Sequence, residues 1–191
     1  MAENRDSFVP LIAGTAAIGA AAIGLSALFK IPLTPQFTFS VDDMLIGVIA
    51  TLPLVIFLWW FSNTKIPSVA QFRDSQIEFF ARLDFEFTPS RIILMAFGAG
   101  VSEELLFRGV FQTGLDRFLP VMAAIFLSNI IFGLLHMRTV LYAIIAGCVG
   151  LYLGVIYALN GNLMAPIVTH MLYDAIAFEY TRRAIAGRQV R

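Results

Sequence analysis

A chain of 191 residues that is 59% hydrophobic and only 14% charged, with a mean hydropathy of +0.81, lies outside the composition of a soluble domain. Its 13 basic residues balance its 13 acidic ones, so no net charge points to nucleic acid or to an acidic substrate. The partner that this composition implies is the lipid bilayer.

About 20 mainly apolar residues are needed for a helix to cross roughly 30 Å of hydrocarbon, and six stretches qualify: 9–29, 44–62, 91–115, 119–136, 139–159 and 162–180. The expected fold is therefore all-α, a polytopic transmembrane helical bundle of about six spans. The first stretch is too long for a secretory signal and its flank is not basic, so it reads as a retained helix. Ser40 with Asp43 resembles a capping box, and Thr88-Pro89 offers an N-cap followed by proline at the first helical position; these set the starts of the second and third spans. Between those spans, Val69, Phe72, Phe79, Phe80, Leu83 and Phe87 recur near helical spacing among Arg73, Asp74, Glu78 and Arg82. That pattern predicts an interfacial amphipathic helix over 68–87. The chain divides at about residue 90, with two spans and this segment in 1–90 and four spans in 91–191. Cys148, the single cysteine, has no disulfide partner and reads as a buried small hydrophobe.

Lysine and arginine fall unequally between the loops. Arg5, Lys65, Arg73, Arg82, Arg91, Arg138, Arg182, Arg183, Arg188 and Arg191 lie on one side, and Lys30 and Arg117 on the other. This asymmetry places both termini in the cytoplasm, and the membrane is expected to be a bacterial-type inner membrane.

Within the third span, Glu103, Glu104 and Arg108 lie far from either end of an apolar run. Each such charge costs roughly 2.5–3.5 kcal/mol at a helix centre on insertion scales, so three together argue for function. Glu104 and Arg108 are i,i+4 neighbours and can neutralise each other. Glu103 points about 100° away around the helix and has no partner in its own span, which suits a general base. Gly98 and Gly100 allow close approach of a neighbouring helix. His136 ends the fourth span with Phe132 one turn before it. His170 lies in the sixth with Asp174 one turn after, where a carboxyl group can orient the imidazole. Pro166 is expected to bend that span. Both histidines of the chain thus fall beside polar or aromatic partners in membrane helices. Glu103 counts to mid-membrane while His136 adjoins Arg138, which requires a short, tilted fourth span or a cavity open to the cytoplasm.

The succession Glu-Glu-x-x-x-Arg, Phe-x-x-x-His and His-x-x-x-Asp resembles the CPBP family of intramembrane proteases (CAAX protease and bacteriocin-processing, also ABI), including type II CAAX prenyl endopeptidases. The resemblance covers 92–180, and Gly161–Ile167 is similar to the segment that precedes the last motif. It implies a four-helix catalytic core and a membrane-anchored peptide or protein substrate, with a prenylated C-terminus, a leader or a sorting tail as alternatives. It also implies that Glu103 and His136 activate water, that His170 and Asp174 act on the scissile carbonyl, and that Glu104, Arg108 and Phe132 support the site or bind substrate. Asp174 stands where many relatives carry Asn, and an ionised carboxylate there would repel an oxyanion unless it is protonated or serves only to orient His170. No cofactor is expected. Zinc held by Glu103, His136 and His170 is the alternative, less favoured because it would leave Glu104, tied to Arg108, as the base. Two other functions fit intramembrane Glu, His and Arg: a proton-coupled transporter, and an inactive immunity or binding protein.

Overall fold

Several helix starts and stops can be traced to local chemistry. Ser40 Oγ accepts from the Asp43 amide at 3.2 Å, Thr88 Oγ1 from that of Arg91 at 3.4 Å and Thr139 Oγ1 from that of Tyr142 at 3.1 Å, satisfying donors that a helix leaves free at its start. Lys30 (φ 53°) and Gly161 (φ 69°) end the helices before them in the left-handed conformation. The structure is a computed structural model that describes residues 7–83 and 85–189; Arg5 and Arg191, counted in the loop asymmetry, lie outside them.

The elements are α1 (Phe8–Phe29), α2 (Val41–Asn63), α3 (Pro67–Arg82), α4 (Pro89–Glu104), a π-helical run (Leu105–Gln112), a short α5 (Thr113–Asp116), α6 (Val121–Leu135), α7 (Val140–Asn160) and α8 (Met164–Gln189), with one 3₁₀ turn at Thr34–Gln36. The fold is an all-α membrane helical bundle. By length and composition α1, α2 and α7 can each cross a bilayer, and α6 is a shorter apolar helix. The continuous helix from α4 to α5 and the long α8 carry most of the buried polar residues. At 15 residues α6 rises only about 22 Å, which meets the need for a short fourth span.

The bundle buries polar groups within an apolar core and is apolar outside as well. Glu104, Arg108, Gln112, Ser128, Asn129, Thr169 and His170 are buried, while residues such as Ile49, Trp59, Phe126, Leu135 and Ile144 are exposed. An apolar exterior costs nothing in lipid, so helix association must come from close packing and polar contacts. α8 packs on α2 and α4, α6 on α7, and α1 on α4 and the π run. An added Cβ at Gly47 would lie 2.7 Å from the Ala165 carbonyl oxygen, and one at Gly133 2.6 Å from that of Ala143; both helix pairs depend on a missing methyl group.

At the end of the bundle carrying Lys30, Arg117 donates to the Phe29 and Lys30 carbonyls at 3.1 and 2.8 Å. Gln36 is the pivot there: its Nε2 donates to the Pro32 and Gly109 carbonyls, and its Oε1 accepts from Tyr157 at 2.7 Å and Thr113 at 3.2 Å. At the other end Arg188 pairs with Asp74 at 2.7 Å.

Three expectations need correction. Cys148 is exposed on α7, because Gly147, Gly150 and Gly154 take the face turned to α6 and push Cys148 towards lipid. Pro166 falls in the first turn of α8, where backbone N–H groups have no helical acceptor, so it breaks no hydrogen bond and bends nothing. The third span is not regular: an eight-residue π run interrupts it.

Gly133→Val should separate α6 from α7 and destabilise the protein by about 1–3 kcal/mol, the usual cost of overpacking. Thermal unfolding in detergent, compared with the same change at the open Gly14, measures this.

Candidate active site

Consecutive glutamates on one helix face different surroundings. Glu104 points inwards and is fully buried, whereas Glu103, with its side chain 12% exposed, reaches a cavity. Glu104 Oε1 accepts from Arg108 Nη1 at 2.8 Å and from His170 Nδ1 at 2.8 Å, so one oxygen joins α4 to α8. This junction forms because α8 comes close to α4 at Gly100, where a Cβ would sit 3.1 Å from the Met171 nitrogen and 3.3 Å from its Cα. Gly98 serves α1 in the same way, beside Thr15. Thr169, next to His170, shares its one hydroxyl proton between the carbonyls of Ala165 in its own helix, at 2.9 Å, and Gly47 of α2, at 3.0 Å, which ties α8 to α2.

Arg108 is fully buried. Besides Glu104, its Nη2 donates to Asn129 Oδ1 at 3.0 Å and to the Gly150 carbonyl at 2.6 Å, and its guanidinium lies 5.3 Å from the centre of the Phe132 ring. Asn129 and Gly150 were not singled out from the sequence. Asn129 was detectable as an amide in an otherwise apolar span; Gly150 carried no signal, because it acts through its carbonyl and through space that a Cβ would take from Asn129. Gln112 donates to the Gly154 carbonyl at 3.0 Å and adds a second polar tie to α7. The π run widens the helix here and redirects its carbonyls: Arg108 O accepts from Thr113 Oγ1 at 2.8 Å, and Gly109 O from Gln36 Nε2 at 3.2 Å.

His136 caps α6. Its ring lies 4.3 Å from that of Phe132, and Nδ1 is 2.8 Å from the Phe132 carbonyl. A carbonyl only accepts, so Nδ1 carries a proton in this arrangement, and Nε2 is turned to the cavity. Nε2 is 3.7 Å from Glu103 Oε2, an oxygen without a hydrogen-bond partner among the described residues. Across the cavity, His170 Nε2 is 3.6 Å from Asp174 Oδ2. Both separations are too long for direct hydrogen bonds and leave each group free to engage a third one. Phe132 stands between the two histidines, edge-on to Phe107 at 4.8 Å and to His170 at 6.5 Å.

The cavity has a volume of about 440 Å³, and Glu103, Phe132, His136, His170 and Asp174 all line it. Much of the remaining wall is aromatic, including Phe72, Phe79 and Phe80 of α3. The aromatic face of the amphipathic segment therefore faces the cavity, and Glu103 and His136 meet within it despite their different depths in the sequence.

A resident metal would need at least three ligands brought together. Among the described residues no three His, Cys, Asp or Glu side chains are grouped to hold one. Both Nδ1 atoms are engaged, by Phe132 O and by Glu104, while both Nε2 atoms are left without a direct hydrogen bond.

Residues 86–176 match the family described as type II CAAX prenyl endopeptidase Rce1-like. The chain is also 33% identical over 100 residues to the uncharacterized protein YpbD of Bacillus subtilis (strain 168), an alignment covering 48% of this chain and 49% of that protein. The chain thus spans about half the length of that curated relative. No solved structure matches.

Arg108→Ala should cost about 3–5 kcal/mol by stranding the Glu104 carboxylate. The double variant Arg108→Met/Glu104→Leu should recover part of that loss, because no buried charge is left alone. Unfolding in detergent of the single and double variants checks the non-additivity; equal losses would count against a sealed ion pair.

Proposed function

Taking residues 86–176 as a type II CAAX prenyl endopeptidase-like segment, we propose that this protein is an intramembrane endopeptidase that hydrolyses a peptide bond in a membrane-attached substrate. The observation that carries the reading is the pair Glu103 and His136, held 3.7 Å apart in a cavity with no direct bond between them. A water placed there meets two proton acceptors.

In the proposed reaction the water oxygen attacks the scissile carbonyl carbon while Glu103 takes one of its protons and His136 Nε2 accepts a hydrogen bond from the other. His170 serves the carbonyl side. When its ring carries both protons, Nδ1–H is held by Glu104 and Nε2–H is available to the developing oxyanion. Asp174 then acts by orienting His170 rather than by touching the oxyanion. When the C–N bond breaks, Glu103 returns its proton to the leaving amine, so no proton is gained or lost overall. Arg108 has no surface to offer a substrate, and with Glu104 it positions His170. The helices from residue 91 onwards form the catalytic core, against which α1 and α2 pack through α4 and α8. The substrate reaches the cavity from the cytoplasmic side, where the basic loops and both termini lie.

Purified protein in detergent, offered a panel of membrane-anchored peptides, should cleave at least one of them. Glu103→Ala and His136→Ala should each lower kcat by about 10²–10⁴-fold, the range for a lost acid–base group. Activity should survive exhaustive chelation. Equal processing by the wild type and both variants would refute the assigned roles, and loss on chelation with rescue by zinc would refute the metal-free route.

Orientation is tested separately in a Cys148→Ser background. A cysteine at position 30 should react with an impermeant thiol reagent added to intact cells, and one at position 65 only after permeabilisation; the reverse pattern would invert the topology.

A further inference from the structure

Three arginines lie at or behind the wall of the cavity, and they differ in what their guanidinium groups have left to give. Arg108 has its Nη atoms committed to Glu104, Asn129 and Gly150, and although its Nε has no partner among the described residues, the whole side chain is buried and offers no surface. Arg73 lines the cavity, but its Nη1 donates to the carbonyls of Phe61, Ser62 and Thr64 at 3.4, 2.9 and 3.2 Å and so closes the end of α2. Arg138 is different. Its guanidinium carbon is 3.9 Å from the centre of the Phe79 ring and 4.9 Å from that of Tyr142, and both rings line the cavity. Its Nη2 is buried and has no hydrogen-bond partner among the described residues.

Two aromatic faces hold this cation in place and remove part of its water without giving its N–H groups an acceptor. A buried guanidinium donor left unpaired is costly, and its planar fork is shaped for a carboxylate. Arg138 follows His136 by two residues, and its amide donates to the His136 carbonyl at 2.8 Å, so it sits on the turn that carries the water-activating histidine. The carboxylates of Glu103 and Asp174 on the cavity wall disfavour an anion beside themselves, which leaves the Arg138 edge as the place for one.

We propose that Arg138 is a substrate-binding residue that receives a carboxylate of the peptide within a few residues of the bond to be cut. The carboxylate comes from the C-terminus or from an acidic side chain. The position relative to the cut rests on the peptidase reading above; the binding itself does not.

The test therefore reads affinity rather than turnover, with Glu103→Gln protein in detergent keeping the peptide intact. The probe is a palmitoylated, fluorescein-labelled hexapeptide ending in Ala-Leu-Ala, prepared as the free acid and as the C-terminal amide. By fluorescence anisotropy the acid should bind about tenfold or more tighter than the amide, the range of a charge-assisted contact. Adding Arg138→Gln should reduce that ratio to below about twofold, and Arg138→Glu should favour a peptide ending in a primary amine. A merely structural role for Arg138 would change overall affinity or folding without reversing this preference. An amide peptide ending in Glu that regains the affinity places the carboxylate on a side chain, and one that does not places it at the C-terminus. Equal binding of acid and amide, no measurable binding of the acid, or a ratio that survives Arg138→Gln would overturn the proposal. Binding with the expected preference, but no cleavage by the wild type, would count against the peptidase reading alone.

Discussion

The arrangement of this bundle depends on a guanidinium that water cannot reach. Arg108 is fully buried in a protein whose exterior is built for lipid, and a charge in that position persists only if its partners are fixed. Those partners come from three further places: Glu104 one turn back, Asn129 of α6 and the Gly150 carbonyl of α7. Holding the two Nη atoms of one side chain thus sets the mutual placement of the helix that carries it, α6 and α7. Glu104 extends the same network to α8, because the oxygen that accepts from Arg108 also accepts from His170.

Glycines make this network geometrically accessible. Charged groups can meet at 2.6–3.0 Å only if the backbones that carry them come unusually close, and Gly100, Gly133 and Gly150 each lack a Cβ where one would collide with the neighbouring helix. The π run contributes differently. By changing which backbone carbonyls are free, it lets Thr113 and Gln36 join the same region, so the loop before α2 is tied into the bundle centre.

Two adjacent glutamates divide the labour by rotation alone. A step of about 100° along α4 turns Glu104 into the sealed network and Glu103 into the cavity. The first is held by two hydrogen bonds. Each keeps one oxygen without a partner among the described residues, and only that of Glu103 faces the cavity and the Nε2 of His136. Phe132 makes the division possible, since its ring lies between Arg108 and both histidines while its carbonyl fixes the His136 tautomer.

Sequence periodicity and charge placement were enough to indicate a membrane bundle, the caps at Ser40 and Thr88, the amphipathic segment, and Glu103, Glu104, Arg108, His136, His170 and Asp174 as the residues of interest. Those features are local: they depend on hydropathy over one helix length, on spacing within one turn, or on the cost of a charge in lipid. What the sequence could not provide was the pairing between helices. Glu104 was expected to pair with Arg108; it also holds His170, and this contact spans 66 positions through a close approach at Gly100. Asn129 and Gly150 acquire meaning only once three helices converge on one guanidinium. Likewise the outward turn of Cys148, the harmless place of Pro166 and the aromatic wall supplied by α3 follow from which face of each helix meets a neighbour. Helical spacing defines the faces, and only tertiary packing decides what each face touches.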